Sequence, residues 1–181
     1  MSAIVASTDT QRLRFEPITA ANWRAAVRLR IHPEQRHFVP SVAATLAEVW
    51  LHRDERRCDP FGIRLGHHML GFLIASFTVE QLETCHLGGF LIDHRFQGRG
   101  LGRQALRDFL TLAMSRYPGC TRILLNVHPQ NTAATALYRS IGFRRLVGEE
   151  CEGTEYPVLQ YHLKRPDPVV ARIPEVCHDT V

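Results

Sequence analysis

The stretch DHRFQGRGLGRQAL, residues 93–106, constrains this chain more than any other. It begins where the apolar run 87–92 ends, places glycines at 98, 100 and 102, and passes directly into a helical pattern. Glycine gives up more backbone freedom on folding than any other residue, so such a cluster calls for a local reason. A strand, a glycine turn and a helix N-terminus in succession also make a physical anion site. The first-turn N–H groups have no acceptor inside the helix, and the helix dipole adds positive potential there. Without Cβ atoms at Gly98, Gly100 and Gly102 a phosphate can approach the main chain, and Arg99 and Arg103 can add charge-assisted bonds. Residues 97–103 are therefore read as a cradle for a diphosphate.

Other glycine-rich motifs fit less well. The Walker pattern G-x-x-x-x-G-K-[ST] is absent. A dinucleotide fingerprint is met only in the relaxed form Gly100-x-Gly102-x-x-Ala105. The loop also follows several elements, whereas the dinucleotide loop follows the first strand of its unit. A purely structural glycine turn stays open at this point.

Around this loop the chain alternates strand and helix patterns. Residues 13–17 read as a strand, Thr19 as the cap of a helix running to about 30, and Ser41 as the cap of a second helix to about 53. Residues 54–60 read as charged and turn-like. Residues 61–65 and 69–79 read as a hairpin around Gly66, with His67 and His68 solvated in its turn. Residues 84–93 form a third strand interrupted by Gly88 and Gly89, which suggests a bulge or a close approach to the backbone. A helix from 100 to about 116, a buried-type strand 122–127, and a helix opened by Asn131 and closed by Gly142 come next. Strands at 144–147 and 157–163 complete the order β-α-α-β-β-β-α-β-α-β-β, an α/β or α+β sheet with helices on its faces. The expected division is one domain over residues 1–165 and an extended or mobile tail over 166–181.

Composition narrows the chemistry. A chain of 181 residues with 45% hydrophobic and 22% charged residues is ordinary for a globular domain, which argues against disorder. The five cysteines are scattered with no C-x-x-C pair, and the ten histidines include no H-E-x-x-H, so neither a disulfide framework nor a metal site is expected. The net charge of +4 comes from arginines spread along the chain rather than from a basic stripe, so nucleic acid is not an expected partner. No apolar run approaches the roughly 20 residues of a membrane helix. The first ten residues lack the pattern of a secretory signal, and the expectation is cytoplasmic.

Gln97-x-x-Gly100-x-Gly102, following GGFLID and opening a helix, resembles the Q/R-x-x-G-x-G/A motif of the GNAT superfamily of acetyl-CoA-dependent N-acetyltransferases. A second segment, NVHPQNTAATALYRSIGFRRL, is similar to the strand–Asn–helix–Tyr segment that follows in that family. The likeness covers about residues 61–163, and the helix pair before them fits the family's usual start. It implies a mixed, mostly antiparallel sheet splayed in the middle, with helices on both faces.

The resemblance assigns roles by position. Phe90, Leu91 and Ile92 would contact the pantetheine arm of acetyl-CoA. Gln97, Gly98, Arg99, Gly100, Leu101, Gly102 and Arg103 would cradle its diphosphate, and Asn131 would make a polar cofactor contact while also serving as an N-cap. Tyr138 matches the tyrosine that acts as general acid toward the departing thiolate; its plainer reading is a core aromatic. Several polyamine-acetylating members carry a glutamate where Gly88 stands here, so the base is left among Glu83, His86 and a water relay.

The acceptor is expected to be the primary amine of a small molecule. PEQRHFV, followed by TLAEV, looks like a bacterial spermine and spermidine acetyltransferase-like subgroup, although Val42 stands where an asparagine is common. The acidic cluster Glu149, Glu150, Glu152 and Glu155 is a candidate receiver for a polycation or a solvated turn. An antibiotic amine, a protein or peptide amine, and a non-catalytic CoA-binding regulator are the alternatives. A homodimer is expected by analogy with relatives.

Overall fold

Apolar residues on both faces of one central strand set the architecture. The computed structural model describes residues 12–147 and 156–163. In β3 (His68–Thr78), Leu70, Leu73, Ala75 and Phe77 enter one core, while Met69, Phe72 and Ile74 enter another. Successive strand side chains point to opposite faces, so a strand apolar on both must be covered on both. The cover comes from α1 (Trp23–Val27) and α2 (Val42–Leu51) on one side, through Ala26 and Val42. On the other side stand α3 (Leu101–Arg116) and α4 (Thr132–Ile141). The α3 face of Ala105, Leu106, Phe109, Leu110 and Ala113 repeats at helical spacing and is buried throughout. Burying one such leucine or phenylalanine contributes about 1.5–3 kcal/mol.

The remaining strands are β1 (Leu13–Pro17), β2 (Arg56–Leu65), β4 (Gln81–Ile92), β5 (Arg122–Asn126), β6 (Arg144–Arg145) and β7 (Val158–His162). They form one seven-stranded sheet in the order β1-β2-β3-β4-β5-β7-β6. Every pairing is antiparallel except β4 with β5. This is the expected mixed, mostly antiparallel sheet with helices on both faces, and the element order agrees with the sequence.

Three boundaries differ. Residues 56–60 are strand rather than turn: Arg56 pairs with Thr78 and Pro60 with Ile74. The pairing of β1 reaches only Phe61–Leu65 of β2, so among the described residues this extension has no strand on its outer side, where charge and proline are tolerated. Helix α1 is shorter than expected and begins after Asn22, not Thr19. The Asn22 side chain accepts from the Thr19 N–H at 2.8 Å and donates to the Pro17 carbonyl at 2.9 Å, closing a turn before the helix starts. The strand expected over 144–147 shrinks to Arg144–Arg145. Ser41 does cap α2, accepting from Ala44 N–H at 3.2 Å. The acidic cluster and the tail 166–181 lie outside the described residues.

Candidate active site

The site begins with a sheet that comes apart. β4 and β5 pair only from Thr84 opposite Arg122 to His86 opposite Leu124; beyond that, β5 pairs with β7 alone. On its other edge β4 stays with β3, but the register shifts: Ile74 stands opposite Gly88 and Phe72 opposite Leu91, leaving Gly89 and Phe90 across from Leu73 alone. Gly89 has φ +59°, a left-handed conformation that side chains rarely adopt. The bulge turns β4 away from β5 and leaves the second half of one β4 edge without a strand partner.

A cleft of about 350 Å³ fills the gap. Phe90, Leu91 and Ile92 line it from β4, Gly98, Gly100, Leu101 and Gly102 from the glycine loop, and Asn131 and Tyr138 from α4. The structure thus gathers around one cavity most of the residues singled out from sequence. Arg99 and Arg103 are not among its lining. Arg99 stacks over the Phe96 ring with its guanidinium carbon 5.9 Å from the centroid, and Arg103 donates to Ser140 Oγ at 2.7 Å.

The loop geometry explains the glycines. Gly98 and Gly100 have φ +74° and +77°, and a Cβ on either would meet nothing within 4 Å. Backbone conformation, together with open space kept free in front, requires glycine at both. Between Gln97, whose N–H bonds to His94, and Gln104, whose N–H bonds to Gly100, the main-chain N–H groups of residues 98–103 have no acceptor among the described residues. These unpartnered donors at a helix start, opening on a cleft, fit a diphosphate.

Gln97 does more than mark the loop. Its amide nitrogen donates to the Ile92 carbonyl at 2.8 Å, and its side chain exchanges two hydrogen bonds of 2.9 and 3.0 Å with the Gln35 amide. The residue ties the loop to the end of β4 and to the segment before α2. Gln35, also in the cleft lining, had no role in the sequence reading. Its only signal there was its place in PEQRHFV.

Asp93 anchors the same junction from beneath. It is almost fully buried and accepts from the Arg30 N–H at 3.0 Å, the Arg95 N–H at 3.1 Å and Arg95 Nε at 2.8 Å. Burial alone would raise its pKa; the hydrogen bonds from Arg95 and from the two main-chain N–H groups outweigh it and hold the carboxyl below its ordinary value.

On the far wall, Asn131 caps α4 by accepting from Ala134 N–H at 3.1 Å and still faces the cleft. The N-cap read from sequence is present, and the residue that the resemblance assigns to the cofactor lines the cleft. Tyr138 is buried, with its ring 5.7 Å from that of Phe143. Burial pushes its pKa up to about 12, so the phenol keeps its proton at neutral pH.

Two candidates for the base are displaced. Glu83 is exposed, and neither it nor His86 lines the cleft. Burial, Arg56 and Arg122 lower the His86 pKa. At the mouth, Phe38 and His128 face each other at 5.2 Å, with His37 and Tyr156 packed beside them. This aromatic bridge joins the segment before α2 to the loop after β5. It is assembled from three separated segments, and no local pattern announces it.

Comparison with known proteins gives a consistent picture. The model of the acetyltransferase (GNAT) family matches residues 20–143. The spermine/spermidine N(1)-acetyltransferase of Bacillus subtilis (strain 168) is 26% identical over 140 residues, covering 73% of this chain and 88% of that protein. The ribosomal protein bS18-alanine N-acetyltransferase of Salmonella typhimurium is 34% identical over 91 residues, covering 49% of this chain and 58% of that protein. The crystal structure of an acetyltransferase from Thermus thermophilus superimposes with a TM-score of 0.67 at 24% identity, covering 85% of this chain and 99% of that one. Among the described residues no helix is long and apolar enough to cross a membrane.

Proposed function

Because the chain belongs to the GNAT acetyltransferase family, we propose that the cleft between β4 and β5 holds acetyl-CoA and that Tyr138 serves the transfer of the acetyl group to a small amine. Family membership makes the protein an acyltransferase that uses acetyl-CoA. The observation that carries the assignment to this cleft is the run of unpartnered N–H groups at residues 98–103, at the open end of the split sheet. When bound, acetyl-CoA supplies a thioester carbonyl as the electrophile.

The chain's own groups then have distinct tasks. The N–H groups of Gly98, Gly100, Leu101 and Gly102 bind the diphosphate, with Gln97 holding the loop in place for them. Phe90, Leu91 and Ile92 offer an unpaired strand edge to the pantetheine arm. The N–H of Phe90 or a neighbour on that edge is the donor toward the oxygen on which charge develops. Tyr138, kept protonated by its burial, donates its hydroxyl proton toward the leaving sulfur. Holding both partners in one cleft supplies much of the rate by proximity.

The acceptor is a small, polyamine-like primary amine. Similarity to the Bacillus enzyme along most of that protein's length supports this reading, as does PEQRHFV before α2. A peptide N-terminus is the second reading, favoured by the likeness to the bS18-alanine enzyme. The test is amine-dependent thiol release from acetyl-CoA across polyamines, aminoglycosides, amino acids and peptides. Turnover greatest with polyamines is expected. Turnover greatest with peptides would replace the acceptor, and CoA binding without turnover on any amine would make the protein a CoA-binding regulator.

A further inference from the structure

A second cavity lies against the first. It measures about 160 Å³, and its lining includes Thr45, Glu48 and Val49 of α2, His52 at its C-terminal end, and Arg56 and Cys58 of β2. Positions 45, 48, 49 and 52 are spaced three, one and three apart, which places them on one helix face. Gly88 and Gly89 line both cavities, so no side chain stands between the two at that point. A Cβ at Gly88 would meet nothing within 4 Å. Among the described residues, Glu48 is the sole carboxylate lining either cavity, and it forms no ion pair.

We propose that Glu48 receives the acceptor's ammonium in this second cavity and takes a proton from it, beside the bulge at Gly88 and Gly89. The proposal rests on the acetyltransferase reading above. It gives the reaction a carboxylate from α2 where β4 supplies none, since neither Glu83 nor His86 lines this cavity. A primary amine with a pKa of about 10 arrives protonated at neutral pH and has no lone pair to attack with. The proton passes from the ammonium to the Glu48 carboxylate, which frees the nitrogen lone pair, and then from the carboxyl to water.

The other charged and titratable groups around Glu48 set what enters. His52 Nδ1 is engaged with Glu55 Oε2 at 3.1 Å. Burial raises the Cys58 thiol's pKa, leaving it uncharged near neutral pH. Arg56, entering from β2, repels a second cation. The cavity therefore takes one cationic end of the acceptor, a primary ammonium on an aliphatic stem, while the rest of a longer amine runs outward.

The test compares wild type, E48Q, E48D and the double variant E48Q/G88E, with spermidine as the probe amine. E48Q is expected to lower kcat/KM about 100-fold and to weaken spermidine binding to the free protein by calorimetry, with acetyl-CoA affinity unchanged. In E48Q, kcat/KM rises about tenfold per pH unit toward the amine's own pKa, whereas wild type levels off earlier. G88E restores at least tenfold in the E48Q background, because Gly88 opens on the same cavity with room for a side chain. E48Q within twofold of an active wild type overturns the proposal. So does an equal loss of acetyl-CoA affinity, or no regain in either E48D or E48Q/G88E. A wild type that releases no thiol with any amine overturns the acetyltransferase reading itself, and the two failures are thereby told apart.

Discussion

Replacing Gly100 with alanine separates two effects that glycine combines in the loop. Gly100 has φ +77°, and holding a residue with a Cβ in the left-handed region costs about 1–2 kcal/mol. For a chain of this size, each 1 kcal/mol moves the melting temperature by roughly 2–4 °C. Gly66 provides a matched control: its φ is +57°, a Cβ there also meets nothing within 4 Å, and it lines neither cavity. Gly66→Ala and Gly100→Ala should therefore lose similar stability. They should differ in CoA binding. The Cβ at position 100 occupies the space in front of the unpartnered N–H groups, and displacing one N–H from a phosphate oxygen removes about 1.5–3 kcal/mol. That corresponds to about a 10- to 150-fold rise in Kd. Thermal melts and calorimetric titration with CoA on both variants give the comparison. If Gly100→Ala melts like Gly66→Ala and binds CoA as wild type does, residues 98–103 do not hold the diphosphate.

Other perturbations probe the rest of the site. Tyr138→Phe should lower kcat about 100-fold with CoA affinity intact; stopped-flow or steady-state thiol release checks it. Because the Tyr138 pKa is raised to about 12, the donor form persists through mildly alkaline pH, and no loss of wild-type kcat from this residue is expected below about pH 11. Asp93 has a lowered pKa, so its contribution to stability is complete above the ordinary carboxylate value of about 3.9 and fades as pH falls through the lower folded value. Asp93→Asn should cost about 2 kcal/mol at pH 7 and flatten the acid limb of a melting series from pH 3 to 7. Gln35→Ala and Gln97→Ala should be non-additive by about 1–2 kcal/mol in a double-mutant cycle of unfolding, since each removes both bonds of the same amide pair.

What the sequence discloses and what it conceals follow one physical division. The cleft between β4 and β5 is built from short contiguous pieces, each with its own local requirement. Left-handed backbone at Gly98 and Gly100 demands glycine, the α3 core face demands helical spacing, and the start of α4 demands a cap such as Asn131. Such demands leave marks in consecutive residues, so most of that lining is legible in the amino-acid order alone. Arg99 and Arg103 show where local reasoning ends: charge near a phosphate loop suggests contact, but the position of a long side chain is set by its surroundings, here Phe96 and Ser140. The second cavity obeys no local rule. Thr45, Glu48, Val49 and His52 read only as part of the helix that Ser41 caps, and Arg56–Pro60 reads as turn because its pairing with β3 is a long-range fact. Glu48 and Gly88 line one cavity only because α2 covers the Phe72 and Ile74 face of the sheet beside the bulge. The family's shared chemistry sits in the legible half. On the proposal made for Glu48, the choice of amine falls to the half that only the fold assembles.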